Sequence, residues 1–124
     1  VDFQNDVAPM LTAMCATAGC HSGAQAAGGL SLTAVKTQHY SDAYESLLGP
    51  GDKSASGFQY VDALGYLARK SFLAEKILGK ELDAAGKLTA PCPPAGSPAL
   101  SEAERLTLLR WIEFGAAWQG APLP

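Results

Sequence analysis

The chain has 124 residues, a formal net charge of −3 and a hydrophobic content of 48%. Its length fits one domain, residues 1–124, and because only 17% of the residues are charged, the composition is typical of a packed protein. The acidic balance excludes a general nucleic-acid-binding protein, which presents a basic surface. No apolar run approaches the roughly 18 residues of a membrane span. Because the chain opens on Val1 rather than Met, we expect a processed or trimmed form.

The first predicted element is a helix near the amino terminus. Its apolar residues recur at helical spacing and would form one face: Phe3, Val7, Met10, Leu11 and Met14. If Asp6 is the N-cap, Pro9 falls in the first turn, where no backbone donor is needed. If the helix instead starts at Asp2, Pro9 interrupts it and produces a kink.

Two short helices are predicted in the middle of the chain. Residues 41–48 form the first, which ends at the Gly-Pro-Gly sequence 49–51. Residues 62–78 are helical in character, with an interruption at Gly65 and the clearest helical part immediately before Gly79. The intervening segments are rich in glycine and are predicted to be ordered loops.

The carboxyl-terminal part contains a proline-rich loop followed by a helix. The three prolines within 91–94 exclude a helix interior or a central strand, so this segment is predicted to be an extended or turn loop. Ser101 and Glu104 have the spacing of a capping box and open a helix that ends before Gly115.

The pattern as a whole predicts an all-α protein. No segment has the period of a convincing strand, and the predicted helices are short and joined by long loops. Trp111 is expected to lie in the core, where it and Phe3 would help the last helix to cross the first.

The sequence Cys15-x4-Cys20-His21 carries the chemistry of the chain. A c-type haem is held by two cysteine thioethers and by a histidine that directly follows the second cysteine, usually in the order C-x-x-C-H. Here the cysteines are separated by four residues, all of them small. A loop pressed against a porphyrin edge requires small side chains. The motif therefore predicts covalent haem on Cys15 and Cys20, with His21 as the proximal iron ligand.

Three other interpretations of these cysteines remain open. Cys15 and Cys20 could form a disulfide or redox pair, although such pairs usually have two intervening residues. Together with His21 and Cys92 they could form a Cys3His zinc site in an interaction module. They could also be small buried residues, which a glycine-rich turn disfavours.

Several short motifs occur in order along the chain and carry a family resemblance. They are Phe3-x-x-Asp6-Val7-x-Pro9, the Cys15-x4-Cys20-His21 motif, Gly28-Gly29-Leu30-x-Leu32, Ser71-Phe72-Leu73-x-x-Lys76-Ile77, Pro93-Pro94-x-Gly96, Leu100-Ser101-x-x-Glu104 and Trp111-Ile112-x-x-Gly115-Ala116. This set resembles the small monohaem cytochrome c domains of planctomycete and myxobacterial secreted proteins, over the whole chain apart from 50–70. The resemblance implies a cytochrome c-like fold with short helices and long loops around one covalent haem c, and it implies that Trp111 packs near the haem.

The sixth iron ligand departs from the family pattern. The family usually has Met-Pro-Pro in its distal loop, whereas this chain has Cys92 before the two prolines and no methionine after Met14. Met/His ligation is therefore not expected. The resemblance makes Cys92 the first candidate, His39 would give bis-histidine ligation, and an open or water-bound site would permit gas or peroxide chemistry.

The expected function is one-electron transport by the haem iron between redox partner proteins, as an electron carrier and not an enzyme. The alternatives are a haem-based gas sensor or a peroxidase-like enzyme, if the sixth site is open, and the zinc module. Covalent attachment needs an extracytoplasmic maturation route, so the resemblance implies a bacterial periplasm or cell surface. Six side chains are candidates for bonding the haem propionates: Tyr40, Tyr44, Tyr60, Tyr66, Arg69 and Arg105.

Overall fold

The computed structural model describes residues 1–17, 19–48, 59–62, 66–79 and 99–119. The helices in these ranges are α1 (Ala8–Met14), α2 (Asp42–Leu48), α3 (Phe72–Ile77) and α4 (Glu102–Glu113), with a π-helical turn at Phe3–Val7 and 3₁₀ turns at Ala27–Gly29 and Ala68–Lys70. No strand occurs among these residues, only one isolated β-bridge between Lys36 and Ser41. The prediction of an all-α class is therefore confirmed for the described part of the chain.

Some predicted features lie outside the described residues. These are the helix end at 49–51, the interruption at Gly65 and the proline-rich loop 91–94 with Cys92. In the ranges that are described, no helix has the length and apolar character needed to cross a membrane.

The first helical segment begins directly after Asp2 rather than after Asp6. The Asp2 carboxylate accepts a hydrogen bond from the Asn5 backbone N–H at 2.8 Å, and the Asp6 carboxylate accepts one from the Asp2 N–H at 2.7 Å. The segment starts with a wide turn, in which the Ala8 N–H bonds to the Phe3 carbonyl. Pro9 therefore lies where the winding changes from π to α, in the first turn of α1, a position at which proline is tolerated.

The predicted start of α4 and the predicted carboxyl ends of α3 and α4 are confirmed. The Ser101 hydroxyl accepts from the Glu104 N–H at 3.2 Å, and the Glu104 carboxylate accepts from the Ser101 N–H at 2.7 Å, which completes the capping box. Gly79 follows α3 with a φ of +66°, and Gly115 follows α4 with a φ of +96°. A Cβ atom at Gly115 would also lie 2.8 Å from a ring carbon of Tyr66, so glycine is required there by both conformation and space.

The two ends of the chain pack together as predicted. Phe3 and Trp111 are both fully buried, with ring centroids 5.3 Å apart. The Ala117 carbonyl accepts hydrogen bonds from the Trp111 indole N–H at 3.0 Å and from the Phe3 backbone N–H at 2.9 Å. The Trp118 carbonyl accepts from the next N–H, that of Gln4, at 3.1 Å. The segment after α4 thus satisfies donors at the start of the first helical segment.

Further aromatic rings extend this contact into a cluster. Tyr44 lies 5.1 Å from Phe3 and 5.2 Å from Trp118, between ring centroids, and Tyr40 lies 5.0 Å from Tyr44. The Tyr44 hydroxyl donates to the Ala116 carbonyl at 2.9 Å. Burial, and secondarily Tyr40, raises the pKa of Tyr44 above its usual value, so Tyr44 remains protonated and a donor at neutral pH.

We expect Trp111→Ala to lower the free energy of unfolding by about 3–5 kcal/mol, the range for large aromatic side chains removed from a core. The substitution opens a cavity in the aromatic cluster and leaves the Ala117 carbonyl with one donor fewer. Urea unfolding measures the change. Leu106→Ala on the same helix, where Leu106 is 43% exposed, is the matched control and should cost much less. Equal losses in the two variants would contradict this account.

Candidate functional site

Cys15 lies at the carboxyl end of α1. Its backbone N–H donates to the Leu11 carbonyl at 2.8 Å, which completes the last turn of the helix. Its side chain is only 2% exposed. The packing of the first helix therefore determines where this thiol lies.

The loop from Cys15 to His21 returns to its starting point. The His21 N–H donates to the Cys15 carbonyl at 3.1 Å, and within the loop the Cys20 N–H donates to the Thr17 carbonyl at 3.0 Å. Gly19 has a φ of +80°, which permits the tight turn. The two additional residues between the cysteines are thus taken up by a turn, and His21 remains next to Cys15.

The segment after His21 holds the loop in place. The Ala27 N–H donates to the Cys20 carbonyl at 2.7 Å, and the Leu32 N–H donates to the His21 carbonyl at 2.8 Å. Gly28 and Gly29 lie between these two contacts, with φ values of +64° and +72°. The Gly-Gly-Leu sequence therefore forms the turn that brings residues 30–32 back to the histidine.

The orientation of the His21 ring is set by a backbone carbonyl. Nδ1 of His21 lies 3.1 Å from the Leu30 carbonyl oxygen. A carbonyl oxygen can only accept a hydrogen bond, so Nδ1 carries the proton and donates it. In the neutral ring the lone pair is then on Nε2. Metal-binding histidines are commonly held in this way, by a hydrogen bond from the ring nitrogen that does not bind the metal.

A cavity of about 320 Å³ adjoins His21. One part of its wall comes from the loop between Cys15 and His21 and the segment after it, and the other from Tyr60 and α3. The lining residues are Cys15, His21, Ala27, Gly28, Leu30, Leu32, Tyr60, Phe72, Leu73, Lys76 and Ile77. Its size is within the range of small-molecule and cofactor sites, roughly 300–1,000 Å³. A mostly apolar wall with one histidine and one cysteine fits a covalently attached haem.

Hydrogen bonds fix the α3 part of the wall. The Phe72 N–H donates to the Gln59 carbonyl at 2.9 Å, and the Leu73 N–H donates to the Tyr60 carbonyl at 3.0 Å. These bonds join the start of α3 to the segment that carries Tyr60. Of the six side chains considered as propionate partners, only Tyr60 lines the cavity. Lys76 was named only within the family resemblance and not as a site residue, although its spacing from Leu73 places both on one helix face.

The structure separates some of the predicted site residues. Cys20 is half-buried and is not part of the cavity lining. His39 is exposed, 6.3 Å from Tyr40 between ring centroids, and lines a different groove that includes Trp118. Trp111 is buried in the core and does not line the cavity. Cys92 lies outside the described residues.

Two of the other interpretations of the cysteines, the disulfide and the zinc site, find no geometric support in the described part. No disulfide joins Cys15 to Cys20. Among the described residues, no three His, Cys, Asp or Glu side chains are grouped so that they could hold a metal ion. Cys15, Cys20 and His21 are therefore not grouped as three ligands of a zinc ion.

Comparison with known proteins points to one enzyme. The chain is 34% identical, over 134 aligned positions, to the alpha subunit of hydrazine synthase from Kuenenia stuttgartiensis; the alignment covers 100% of this chain and 16% of that subunit. A solved structure of Kuenenia stuttgartiensis hydrazine synthase is similar, with a TM-score of 0.61, 29% identity and coverage of 100% of this chain and 17% of that chain. No family model matches the sequence. The chain thus spans about one sixth of the length of the relative.

These findings contradict the prediction that the chain is an electron carrier and not an enzyme. The similarity covers the whole of this chain, and the relative is a subunit of a synthase. The Cys15-x4-Cys20-His21 motif could not have revealed this, because a motif of this kind can occur both in a free carrier and in a domain of an enzyme.

We expect His21→Ala to abolish most accumulation of haem-loaded protein, because the substitution removes the ring that the Leu30 carbonyl orients. The measurement is the ratio of covalent haem to polypeptide after purification. His39→Ala is the matched control, since His39 lies on a different groove, and it should retain the wild-type ratio. An unchanged low-spin spectrum in His21→Ala would show that another residue binds the iron.

Proposed function

We propose that residues 1–124 form a c-type haem domain of a larger redox enzyme related to hydrazine synthase. Cys15 and Cys20 would carry the two thioether bonds, and His21 would be the proximal iron ligand. The observation that carries the proposal is the hydrogen bond from His21 Nδ1 to the Leu30 carbonyl, 3.1 Å long, beside an apolar cavity that Cys15 also lines. It presents the other ring nitrogen in the form that a metal requires.

Each part of the site has a definite task in this proposal. The Leu30 carbonyl fixes the imidazole and increases its basicity. The aliphatic and aromatic wall, including Leu32, Leu73 and Ile77, excludes water from the cofactor and lowers the local dielectric constant. A bound haem would supply a one-electron Fe(III)/Fe(II) couple. The chain sets the potential of that couple through its axial ligands and its buried surroundings.

The similarity supports a place inside an enzyme rather than a separate carrier. Because the chain corresponds to 16% of the synthase subunit, we assign it one haem-binding unit of an alpha-type subunit, with the rest of the catalytic apparatus elsewhere in the protein. Its redox partners would then be other haem or catalytic domains of the same assembly. In this proposal, any hydrazine-forming activity belongs to the whole enzyme and not to this domain by itself.

The proposed location follows from the chemistry of attachment. Thioether bonds between haem and protein are formed by maturation systems outside the cytoplasm. We therefore assign the domain to an extracytoplasmic compartment, the bacterial periplasm or the cell surface.

Cys92 is the proposed distal ligand. The proposal is supported by its position, directly before Pro93 and Pro94, where the resembling family has its ligand methionine. Flanking prolines restrict the backbone, so a side chain held there loses little further conformational entropy on binding the iron. His39 is the weaker candidate because its exposed ring lies on a groove that shares no residue with the cavity.

We expect the denatured protein to keep one haem through acid and organic extraction, with an intact mass equal to the polypeptide plus haem. Cys15→Ala and Cys20→Ala should each leave at most one thioether bond and lower the yield of haem-loaded protein. Cys92→Ala is the control for loss of a thiol as such and should keep both attachments. Free haem in the extract, or a colourless protein with one zinc per chain, would refute the proposal.

The distal ligand has its own test, which is the spectrum of Cys92→Ala. If the Cys92 thiolate binds the ferric iron, its removal should convert a low-spin spectrum to a high-spin one and open the site to azide. The wild-type potential should also be low, because an anionic sulfur ligand favours Fe(III). A low-spin spectrum that survives in Cys92→Ala and is lost in His39→Ala would establish bis-histidine ligation instead.

A further inference from the structure

Residues 30–33 form the segment between the cavity and the start of α2. Leu30 and Leu32 line the cavity. Ser31 and Thr33 alternate with these leucines, and their hydroxyl groups donate hydrogen bonds to a carboxylate of α2. Neighbouring side chains of an extended segment lie on opposite sides of the backbone. The segment therefore has an apolar side toward the cavity and a polar side toward α2.

A single carboxylate, that of Asp42, receives both hydroxyl groups. Oδ2 of Asp42 accepts from the Ser31 hydroxyl and from the Thr33 hydroxyl, the latter at 3.0 Å. Asp42 is the first residue of α2. Its backbone N–H donates to the Val35 carbonyl at 2.9 Å, and that of the next residue donates to the Thr33 carbonyl at 3.1 Å. The start of α2 thus holds the segment by side chains and backbone together.

The same segment holds His21 from its other side. The Leu30 carbonyl oxygen lies 3.1 Å from Nδ1 of the His21 ring, and the Leu32 N–H donates to the His21 carbonyl at 2.8 Å. Ser31 lies between these two contacts. The Leu30 carbonyl and the Ser31 Cα belong to one planar peptide unit, so a displacement of Ser31 also displaces the carbonyl that orients the ring.

We infer that Asp42 is a positioning residue for the axial histidine: through the Ser31 hydroxyl it fixes the peptide plane of the Leu30 carbonyl, and thereby the orientation and basicity of the His21 ring. The inference rests on the proposed function, because it needs an iron bound to that ring. A hydrogen bond from Nδ1 makes the imidazole a more basic ligand, and a more basic ligand favours Fe(III) over Fe(II). Loosening of the Leu30 carbonyl should therefore raise the reduction potential.

Glu45 provides a matched control on the same helix. It is exposed, lies three residues after Asp42, and its carboxylate accepts from the Thr37 hydroxyl at 2.9 Å. Glu45 thus has the same charge as Asp42 and the same kind of bond. Neither Glu45 nor Thr37 lines the cavity, and Thr37 lies on the separate groove that includes Trp118.

The test is a redox titration of the purified, haem-loaded protein, together with EPR spectra of its ferric form. The g values of a ferric haem depend on the plane and the basicity of the axial imidazole. We expect Asp42→Ala to change the g values and to shift the Fe(III)/Fe(II) equilibrium toward Fe(II) on the order of threefold. This is less than the roughly 10–100-fold effect of losing a group that bonds a metal-binding histidine directly.

Three further variants separate position from charge. Ser31→Ala removes the link between the carboxylate and the peptide plane without changing a charge, and it should reproduce the change in g values. Asp42→Asn should keep the wild-type g values, because the amide oxygen can still accept from both hydroxyl groups. Glu45→Ala should keep the wild-type g values and shift the equilibrium much less than Asp42→Ala, since solvent and salt screen an exposed charge.

The alternative results are distinguishable. Wild-type g values in Asp42→Ala, even with a lower free energy of unfolding, would make Asp42 a structural residue only and overturn the inference. Equal changes in Asp42→Ala and Asp42→Asn, or in Asp42→Ala and Glu45→Ala, would assign the effect to charge and also overturn it. If Asp42→Ala yields no haem-loaded protein, Ser31→Ala decides: altered g values support the inference, and wild-type values refute it. A wild-type protein without covalent haem would instead refute the proposed function, and the inference with it.

Discussion

The Ala117 carbonyl is the hydrogen-bond acceptor that joins the first helical segment to α4. It receives one hydrogen bond from the Phe3 backbone and one from the Trp111 indole, so a single oxygen joins the start of the chain, the last helix and the segment after it. The first helical segment is thereby held at its start against the segment after α4. Cys15 lies at the carboxyl end of this segment. The burial of Cys15 therefore depends in part on contacts made at the amino end of the same segment.

The functional site is built by closing loops onto that fixed thiol. His21 returns to Cys15 through a backbone hydrogen bond, and its ring is then aligned by the carbonyl of Leu30. The distance along the chain between the cysteines matters less than this closure, because a turn with Gly19 in a left-handed conformation absorbs the additional length. In the proposed function, a motif with four intervening residues would therefore serve the same chemistry as the usual one with two.

Local signals predicted some of the helices well. Within the predicted helical stretch 62–78, however, the described residues form an α-helix only at Phe72–Ile77, after a 3₁₀ turn at Ala68–Lys70. The capping box at Ser101 and the end of α4 involve residues a few positions apart, so the sequence contains all the information that they need. The start of the first helical segment was undecided, because its donors are satisfied by carbonyls from the far end of the chain. The contribution of α3 to the cavity was missed because it depends on contacts between distant parts of the chain, whereas Cys15 and His21 were assigned to the candidate site from their spacing. The similarity to an enzyme subunit has no local signal in these motifs.

Because the helices are short, the stability of the fold depends on what fills the cavity. The described helices have 6 to 12 residues, below the length at which isolated helices persist in water, so tertiary contacts must hold them. The aromatic cluster around Phe3 and Trp111 supplies those contacts at one side. Beside Cys15 and α3, the corresponding apolar surface faces the cavity, and in the proposed function the porphyrin covers it. Attachment of the haem and completion of the core would then be one event. A domain that is completed in this way can become part of a large enzyme without changing its own packing.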